Sequence, residues 1–314
     1  MTSLANSQPQ LNEAVYPIRT VSELTGVNSI TLRAWETRYG LVQPERKESG
    51  HRLYSQADID LINRVVGLLD RGMRVGQVAN KLDNEAAELE DLPSSGEDLW
   101  QRYLNNMVAA VIRFDETLLE ETYGEALASY PFSVVSSNLL SPLLVELGRR
   151  WETRTGSIAE EHFFGFFLRN KLGARFHHRI RNTDGPRLLA ACLPGERHEI
   201  GLLMFALAAL NKGFQFIMLG ADMPMHELTD AVEKAECDAI VLSGVMPPTA
   251  RTLGEQLPDL VNQSPVPVFV GGRTSEIGFD AINRAGAFSL GNDIGPGLKR
   301  LGDILNTEPV EHHV

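Results

Sequence analysis

RLLAACLPGERHEIG, residues 187–201, carries a change of structure within one short stretch. Leu188 to Leu193 is an unbroken apolar run, too short for a core helix and without the alternation of a half-exposed strand. It reads as a strand buried on both faces. Pro194-Gly195 ends it, Glu196 and His198 occupy the loop that follows, and Gly201 opens a helix. The same alternation of short apolar run and helix-length amphipathic segment continues through Phe214 to Leu219, Ala239 to Leu242 and Val266 to Val270, with Gly or Pro at the strand ends. This is the pattern of a parallel sheet with helices on both faces.

The repeated unit predicts a flavodoxin-like (Rossmann-type) α/β domain over residues 186–306. Ligands of such domains collect at the carboxyl ends of the strands, which puts His198 on the binding edge. An imidazole there can ligate a metal, and the carboxylate of Glu196 two residues earlier can orient the ring and raise its basicity. Gly201 permits close approach of a bulky ligand. Gly220, Ser243, Gly271 and Gly272 end successive strands, so small side chains are expected to leave a channel between sheet and helix.

Residues 99–183 have helical apolar spacing and no strand-like alternation. Trp100, Leu104, Met107 and Val111 share one helical face, and Leu118 to Ala128, Val134 to Arg150 and Ile158 to Arg181 supply three further helices, which predicts a four-helix bundle. Gly156 breaks the helix after Trp151, and Ser157 with Glu160 forms a capping box that starts the next one at Ile158. Ile158, Glu161 and His162 then stand at i, i+3 and i+4 and can converge on one ligand. A bundle-core aromatic and a solvated helix face are the ordinary readings of Trp151 and of Glu161 with His162, and a lone histidine is usually structural.

The N-terminal segment, residues 16–82, reads as a winged helix-turn-helix. Thr20 to Glu23 is a capping box for a first helix that Gly26 stops, and Ser29 caps a second, Ile30 to Arg38, that Gly40 ends. Pro44, Gly50 and Arg52-Leu53-Tyr54 suit a small β-wing, and Ile59, Ile62, Val65, Val66 and Leu69 mark a further helix. Ile30 and Ala34 are expected to face inward. That leaves Thr31, Arg33 and Arg38 on the second helix, with Arg46, His51, Arg52 and Tyr54 on the wing, for phosphates and base edges.

The chain has 29 Lys and Arg against 41 Asp and Glu, a formal net charge of −12, which on its face argues against nucleic acid. Charge has to be read by domain. Residues 17–82 hold ten basic and seven acidic side chains, 10 − 7 = +3, so the remainder carries −12 − 3 = −15. The acidic stretch with Pro93-Ser94-Ser95-Gly96, residues 83–98, reads as a linker, and residues 1–15 and 307–314 as a disordered lead-in and a frayed tail. The two cysteines, Cys192 and Cys237, lie in apolar runs and predict buried free thiols, neither a disulfide framework nor structural zinc. The start MTSLANSQPQ lacks the features of a secretory signal, and no apolar run reaches the ~18 residues of a membrane span. A cytoplasmic protein with no membrane partner is expected.

The run from Arg19 through Leu41, followed by Pro44, Arg46, Gly50, Arg52-Leu53-Tyr54 and Asp58-Ile59, resembles the MerR family of winged-helix regulators. The resemblance implies a near-palindromic double-stranded DNA operator bound by a dimer or higher assembly. This chain lacks the long coiled coil that usually joins MerR subunits, because no sustained heptad follows the wing. Self-association is then expected in the bundle or the α/β domain.

The loop histidine with ordered strand-end glycines resembles the cobalamin-binding domain of corrinoid methyltransferases and mutases, which usually carry Asp where this chain has Glu196. Trp151, nine residues, then Glu161-His162 resembles the signature of CarH-type light sensors, whose second pattern, Glu-x-His-x-x-Gly, also accounts for Glu196. The resemblance now spans residues 16 to about 300. It implies adenosylcobalamin as the cofactor, with Trp151 over the adenosyl group, Ile158 and Glu161 lining it, and His198 as the lower cobalt ligand. His162 would be the upper ligand after photolysis.

The expectation is a light-controlled DNA-binding regulator, a repressor rather than an enzyme, whose dark homo-oligomer, a tetramer or else a dimer, holds the operator. Two other readings stay open: a regulator of the same architecture acting without cobalamin or through a partner signal, and a corrinoid-dependent enzyme module. The second lacks any use for a winged helix.

Overall fold

The computed structural model describes residues 15–305 apart from residues 48, 72, 84–94, 154–155 and 180–184. The expected lead-in (but for Val15), the greater part of the linker 83–98 and the tail 307–314 lie outside the described residues. The chain divides into two compact units, residues 1–164 and 165–314.

The first unit opens with β1 (Tyr16–Pro17), α1 (Ile18–Thr25) and α2 (Ser29–Ala34), which continues as a π-helical turn, Trp35–Tyr39. The wing is β2 (Glu45–Arg46) against β3 (Arg52–Tyr54), and β3 also pairs with β1, giving a sheet of order β1-β3-β2. α3 (Gln56–Asp70) starts from a complete capping box between Ser55 and Asp58, and α4 (Val75–Asp83) follows. Val21, Val27, Leu32, Trp35, Tyr54, Ile62 and Leu69 are buried at the centre of this head.

Two helix starts differ from the sequence reading. α1 begins at Ile18 after Pro17, so Thr20 lies inside the helix. α2 is capped by Asn28, whose side chain accepts from the Thr31 amide, and Ser29 is its first helical residue. The inward face consequently runs through Asn28, Thr31, Leu32 and Trp35, at i, i+3, i+4 and i+7. Ile30, expected to face inward, is 66% exposed.

α5 (Ser95–Arg113), α6 (Glu116–Ser129) and α7 (Phe132–Val135) follow, α7 continuing through a π turn, Ser136–Leu140, into α8 (Ser141–Glu152); α9 is Ile158–Arg179. α5 thus begins inside the expected linker. The bundle buries Met107, Val111, Leu119, Tyr123, Leu139, Leu140, Leu143 and Phe164. Trp100 packs on Tyr103 and Tyr130, at centroid distances of 5.8 and 4.7 Å.

The second unit holds the later turns of α9 and the α/β domain: β4 (Arg187–Cys192), α10 (Ile200–Leu210), β5 (Gln215–Gly220), α11 (Leu228–Lys234), β6 (Ala239–Ser243), α12 (Leu257–Gln263), β7 (Val268–Gly271), α13 (Arg273–Ile277), α14 (Phe279–Arg284), β8 (Phe288–Gly291) and α15 (Ile294–Ile304). The strands are parallel in the order β5-β4-β6-β7-β8, that is 2-1-3-4-5, the flavodoxin-like doubly wound order. Cys192, Ser243 and Gly271 are in register across β4, β6 and β7, so their carboxyl ends form one edge. Leu189, Ala191, Ile240, Leu242, Val268 and Val270 carry the core of one sheet face, and both cysteines are buried and free. Among the described residues no helix is long and apolar enough to cross a membrane.

Candidate functional site

The loop after β4 is built around one carboxylate. Glu196 is 4% exposed, and each of its oxygens accepts two N–H groups. Oε1 takes the His198 amide at 2.9 Å and stands 2.5 Å from His198 Nδ1; Oε2 takes the Val245 and Met246 amides at 2.7 and 2.9 Å. Burial alone would raise this carboxyl. The His198 ring, then the amides of Met246, Val245 and His198, overcome it and hold the group at about 2. It is therefore ionised at neutral pH, which makes Nδ1 the protonated nitrogen of a neutral His198 ring and leaves its ligating lone pair on Nε2.

The loop's outer side is fixed by Asp222, in the left-handed region at φ 50°, which accepts from the Gly195 amide at 2.6 Å and donates its own amide to the Glu196 carbonyl at 2.8 Å. The His198 side chain is 44% exposed. Beneath the loop, burial pushes the Cys192 thiol up to about 12, with Glu196 and Glu199 adding to the effect, so no competing thiolate is available at neutral pH.

Gly220, Ser243, Gly271 and Gly272 lie along the same carboxyl edge. Gly272 has φ 77°, and a Cβ there would stand 2.5 Å from the Gly244 carbonyl oxygen. At this pair small residues serve close backbone contact, whereas Gly201, in the first turn of α10, faces open space. Glu199 accepts an ion pair from Arg169 of α9 at 3.2 Å.

In the first unit, Trp151 in the last turn of α8 is 48% exposed, and Ile158 at the start of α9 is 62% exposed. Glu161 is half-buried and His162 exposed. Two large apolar side chains thus stand uncovered, one at the end of α8 and one at the start of α9, and an acid and an imidazole follow the second on the same helix. Among the described residues no group of three or more His, Cys, Asp or Glu is arranged to hold a bare metal ion. The His198 loop offers a single imidazole, which fits a metal that brings its other ligands with it.

The head separates the expected DNA-contacting residues into two groups. Arg33, Arg38, Arg46 and His51 are exposed. Thr31 and Tyr54 are corrected: both are fully buried. The Thr31 hydroxyl donates to the Leu127 carbonyl of α6 at 3.0 Å, and beside it Trp35 Nε1 donates to Ser129 O at 3.1 Å and Asn28 Nδ2 to Leu127 O at 3.5 Å. The inward face of α2 is therefore docked on the end of α6. Tyr54 is a core residue whose hydroxyl finds no hydrogen-bond partner among the described residues. Arg52 is half-buried against Glu36, which also pairs with Arg46 at 2.8 Å, tying the wing to the π turn after α2. Burial opposes ionisation of Glu36, but hydrogen bonds from Arg52 and Arg46 hold its carboxyl below the ordinary value.

The residues missed from sequence are those whose part is played by backbone or by distant partners: Val245, Met246, Asp222 and Arg169. Only Asp222 left a trace, in the strand-end run Leu219-Gly220-Ala221-Asp222.

Sequence profiles match each of the three parts: MerR HTH family regulatory protein over residues 16–85, and two B12 binding domain profiles over residues 103–175 and 186–290. The HTH-type transcriptional repressor CarH of Myxococcus xanthus is 31% identical over 268 residues, covering 83% of this chain and 89% of its own. The repressor CarA of the same organism is 30% identical over 292 residues, covering 92% and 96%. The Methanosarcina barkeri monomethylamine corrinoid protein shares the fold, with a TM-score of 0.50 at 20% identity over 66% of this chain and 96% of that one. The relatives matched along most of their length are regulators of transcription, not enzymes.

Proposed function

The chain belongs to the family of MerR-type HTH transcriptional repressors with B12-binding domains that includes CarH and CarA, and on that premise we propose that it is a light-responsive repressor using adenosylcobalamin as its chromophore. The observation that carries the reading is the uncovered cluster at the turn between α8 and α9. Trp151 and Ile158 are large apolar side chains left 48% and 62% exposed, one in the last turn of α8 and the other at the start of α9, where Glu161 and His162 follow on the same helix. Such a patch calls for a cover that is apolar in part and hydrogen-bonding in part. An adenosyl group is both.

Bound in that place, the cofactor supplies a cobalt–carbon bond that light cleaves. The chain's residues do the rest. His198 would hold the metal through Nε2, kept in the required tautomer by Glu196. Gly201, Gly220, Ser243, Gly271 and Gly272 border the space for the nucleotide tail. Trp151, Ile158 and Glu161 would cover the cofactor's adenosyl group, and His162 would be the second imidazole available to the metal after illumination.

In the dark the loaded chain would form a homo-oligomer, a tetramer or else a dimer, that presents several heads to a double-stranded operator in the cytoplasm. Multivalent attachment makes operator affinity exceed that of one head by orders of magnitude. Ligand contacts made in only one state supply the bias that switching requires. Exposed Arg33, Arg38, Arg46 and His51 form the DNA-facing set, with Arg52 held behind them.

The test is operator binding by the adenosylcobalamin-loaded chain in darkness and in green light. Tight binding in the dark and release in the light are expected. Equal binding refutes the light response and leaves a regulator of this architecture that acts without cobalamin. His162→Ala should retain the dark-bound cofactor and lose the bis-imidazole spectrum after illumination; an unchanged spectrum removes His162 from its role.

A further inference from the structure

Trp151 lies in the last turn of α8 and the Glu161-His162 pair near the start of α9, and the two helix ends are joined by hydrogen bonds. The residues directly preceding them in sequence close that joint. Arg150 precedes Trp151, and Glu160 precedes Glu161. Their side chains point inward, 18% and 15% exposed, with Arg150 Nη2 3.8 Å from Glu160 Oε2. The Arg150 carbonyl accepts from the Gly156 amide at 3.0 Å and from the Thr153 hydroxyl at 3.3 Å. The Glu160 amide donates to Ser157 Oγ at 3.1 Å.

Gly156 completes the closure. A Cβ there would stand 3.1 Å from Arg150 Cβ and 3.2 Å from Glu160 Oε2, tighter than ordinary contact on both sides, so a side chain at 156 would require the arginine and the glutamate to give by a few tenths of an ångström. Taking an ion pair out of water is costly, and in an ordinary surface turn nothing would compensate. Here the burial fixes the end of α8 against the start of α9, and with it the spacing of Trp151 and Glu161, which follow the pair in sequence.

We propose that Arg150, Gly156 and Glu160 form a clamp that positions Trp151 against the Glu161-His162 turn, making them positioning residues for the upper face of the corrinoid site. Its functional meaning rests on the cofactor reading above; its geometry does not.

The test uses the full chain labelled with 5-fluorotryptophan, which gives three fluorine resonances from Trp35, Trp100 and Trp151, the last assigned by Trp151→Phe. In the cofactor-free protein the Trp151 line should shift in Arg150→Glu and in Glu160→Arg and return in the double reversal, while the lines of buried Trp35 and Trp100 hold still. Where a reversal disturbs those two lines, the milder Glu160→Gln carries the same comparison. A Trp151 line that ignores the single reversals, or that the double reversal fails to restore, overturns the clamp.

The second arm follows the bis-imidazole spectrum after illumination of the adenosylcobalamin-loaded protein. Each single reversal should slow its appearance about fivefold, within the coupling expected of contacting residues, and the double should recover it. Unchanged rates beside a shifted Trp151 line deny the clamp its positioning role. A wild-type protein that never forms the spectrum refutes the cofactor reading instead, and leaves the clamp as a structural joint.

Discussion

Glu196→Gln tests the lower half of the site by removing one charge and almost no volume. The wild-type carboxylate divides its work evenly, Oε1 facing two N–H groups of His198 and Oε2 facing the amides of Val245 and Met246. An amide has one oxygen and one NH2. Turned one way, its NH2 meets the Val245 and Met246 donors; turned the other, it meets those of His198. Either way two donors lose their acceptor, at roughly 1–3 kcal/mol each, so the loop should lose about 2–6 kcal/mol of local stability, towards the lower end if they are those of the half-exposed His198. If the NH2 turns to His198, the ring can answer only by moving its proton to Nε2, which removes the ligating lone pair. Cobalamin affinity should therefore fall roughly 10–100-fold, the usual cost of losing a group that orients a metal-binding histidine. Hydrogen exchange of peptides spanning 194–200 and 244–247 reads the first effect, and titration with hydroxocobalamin followed by visible absorbance reads the second. A Gln variant with wild-type exchange in both peptides and wild-type affinity would refute the account of Glu196 as the hub of the loop.

Glu36→Gln should release Arg46 and Arg52 from their shared carboxylate and steepen the salt dependence of DNA binding by about one unit of slope, as expected for a further phosphate contact; an unchanged slope in a log–log titration counts against it. Thr31→Val removes the hydroxyl that donates to Leu127 O, costing about 1 kcal/mol. Exchange across residues 27–36 should then run about fivefold faster, and no change would mean that the head is not held at that contact. Burial pushes the Tyr54 phenol from 10.0 up to about 12, so its contribution to stability is fully present below 10.0 and lost as pH rises to about 12, because only the unfolded chain ionises in that interval. Tyr54→Phe should leave DNA affinity unchanged, fold as well as or better than wild type at neutral pH, and lose less stability over the alkaline interval. A drop in operator affinity would return Tyr54 to the DNA-facing set.

The parallel sheet was legible because strands buried on both faces write themselves as unbroken apolar runs: Leu188 to Leu193 and Ala239 to Leu242 are unambiguous. β8, at the sheet edge, was not singled out, since Phe288-Ser289-Leu290-Gly291 is short and broken by a serine. The bundle and the wing were equally plain, the first from 3.6-residue spacing, the second from Pro44 and Gly50 around Arg52-Leu53-Tyr54. The inward face of α2 was not. Local rules chose Ser29 as cap and Ile30 as core, because both are good local choices. Asn28 wins since it serves two ends at once, taking the Thr31 amide and reaching Leu127 O, 99 residues away in sequence. A contact at that separation leaves no periodicity to read.

The same distinction runs through the functional residues. His198 and Glu196 stood out because a side-chain acid two residues from a side-chain base is a local pattern. The groups that make the acid effective are the backbone amides of Val245 and Met246, and any residue type would supply those; their position after β6 is set by the doubly wound topology. Thr31 and Tyr54 failed in the opposite direction, being polar residues in a basic neighbourhood whose polarity is used inside the protein or not at all. Polar side chains on a short recognition element are therefore poor evidence of DNA contact until the element's buried face is known. Arg33 survives that condition here because the docking of α2 on α6 consumes the face opposite to it, and Arg38 because it stands exposed on the π turn that follows.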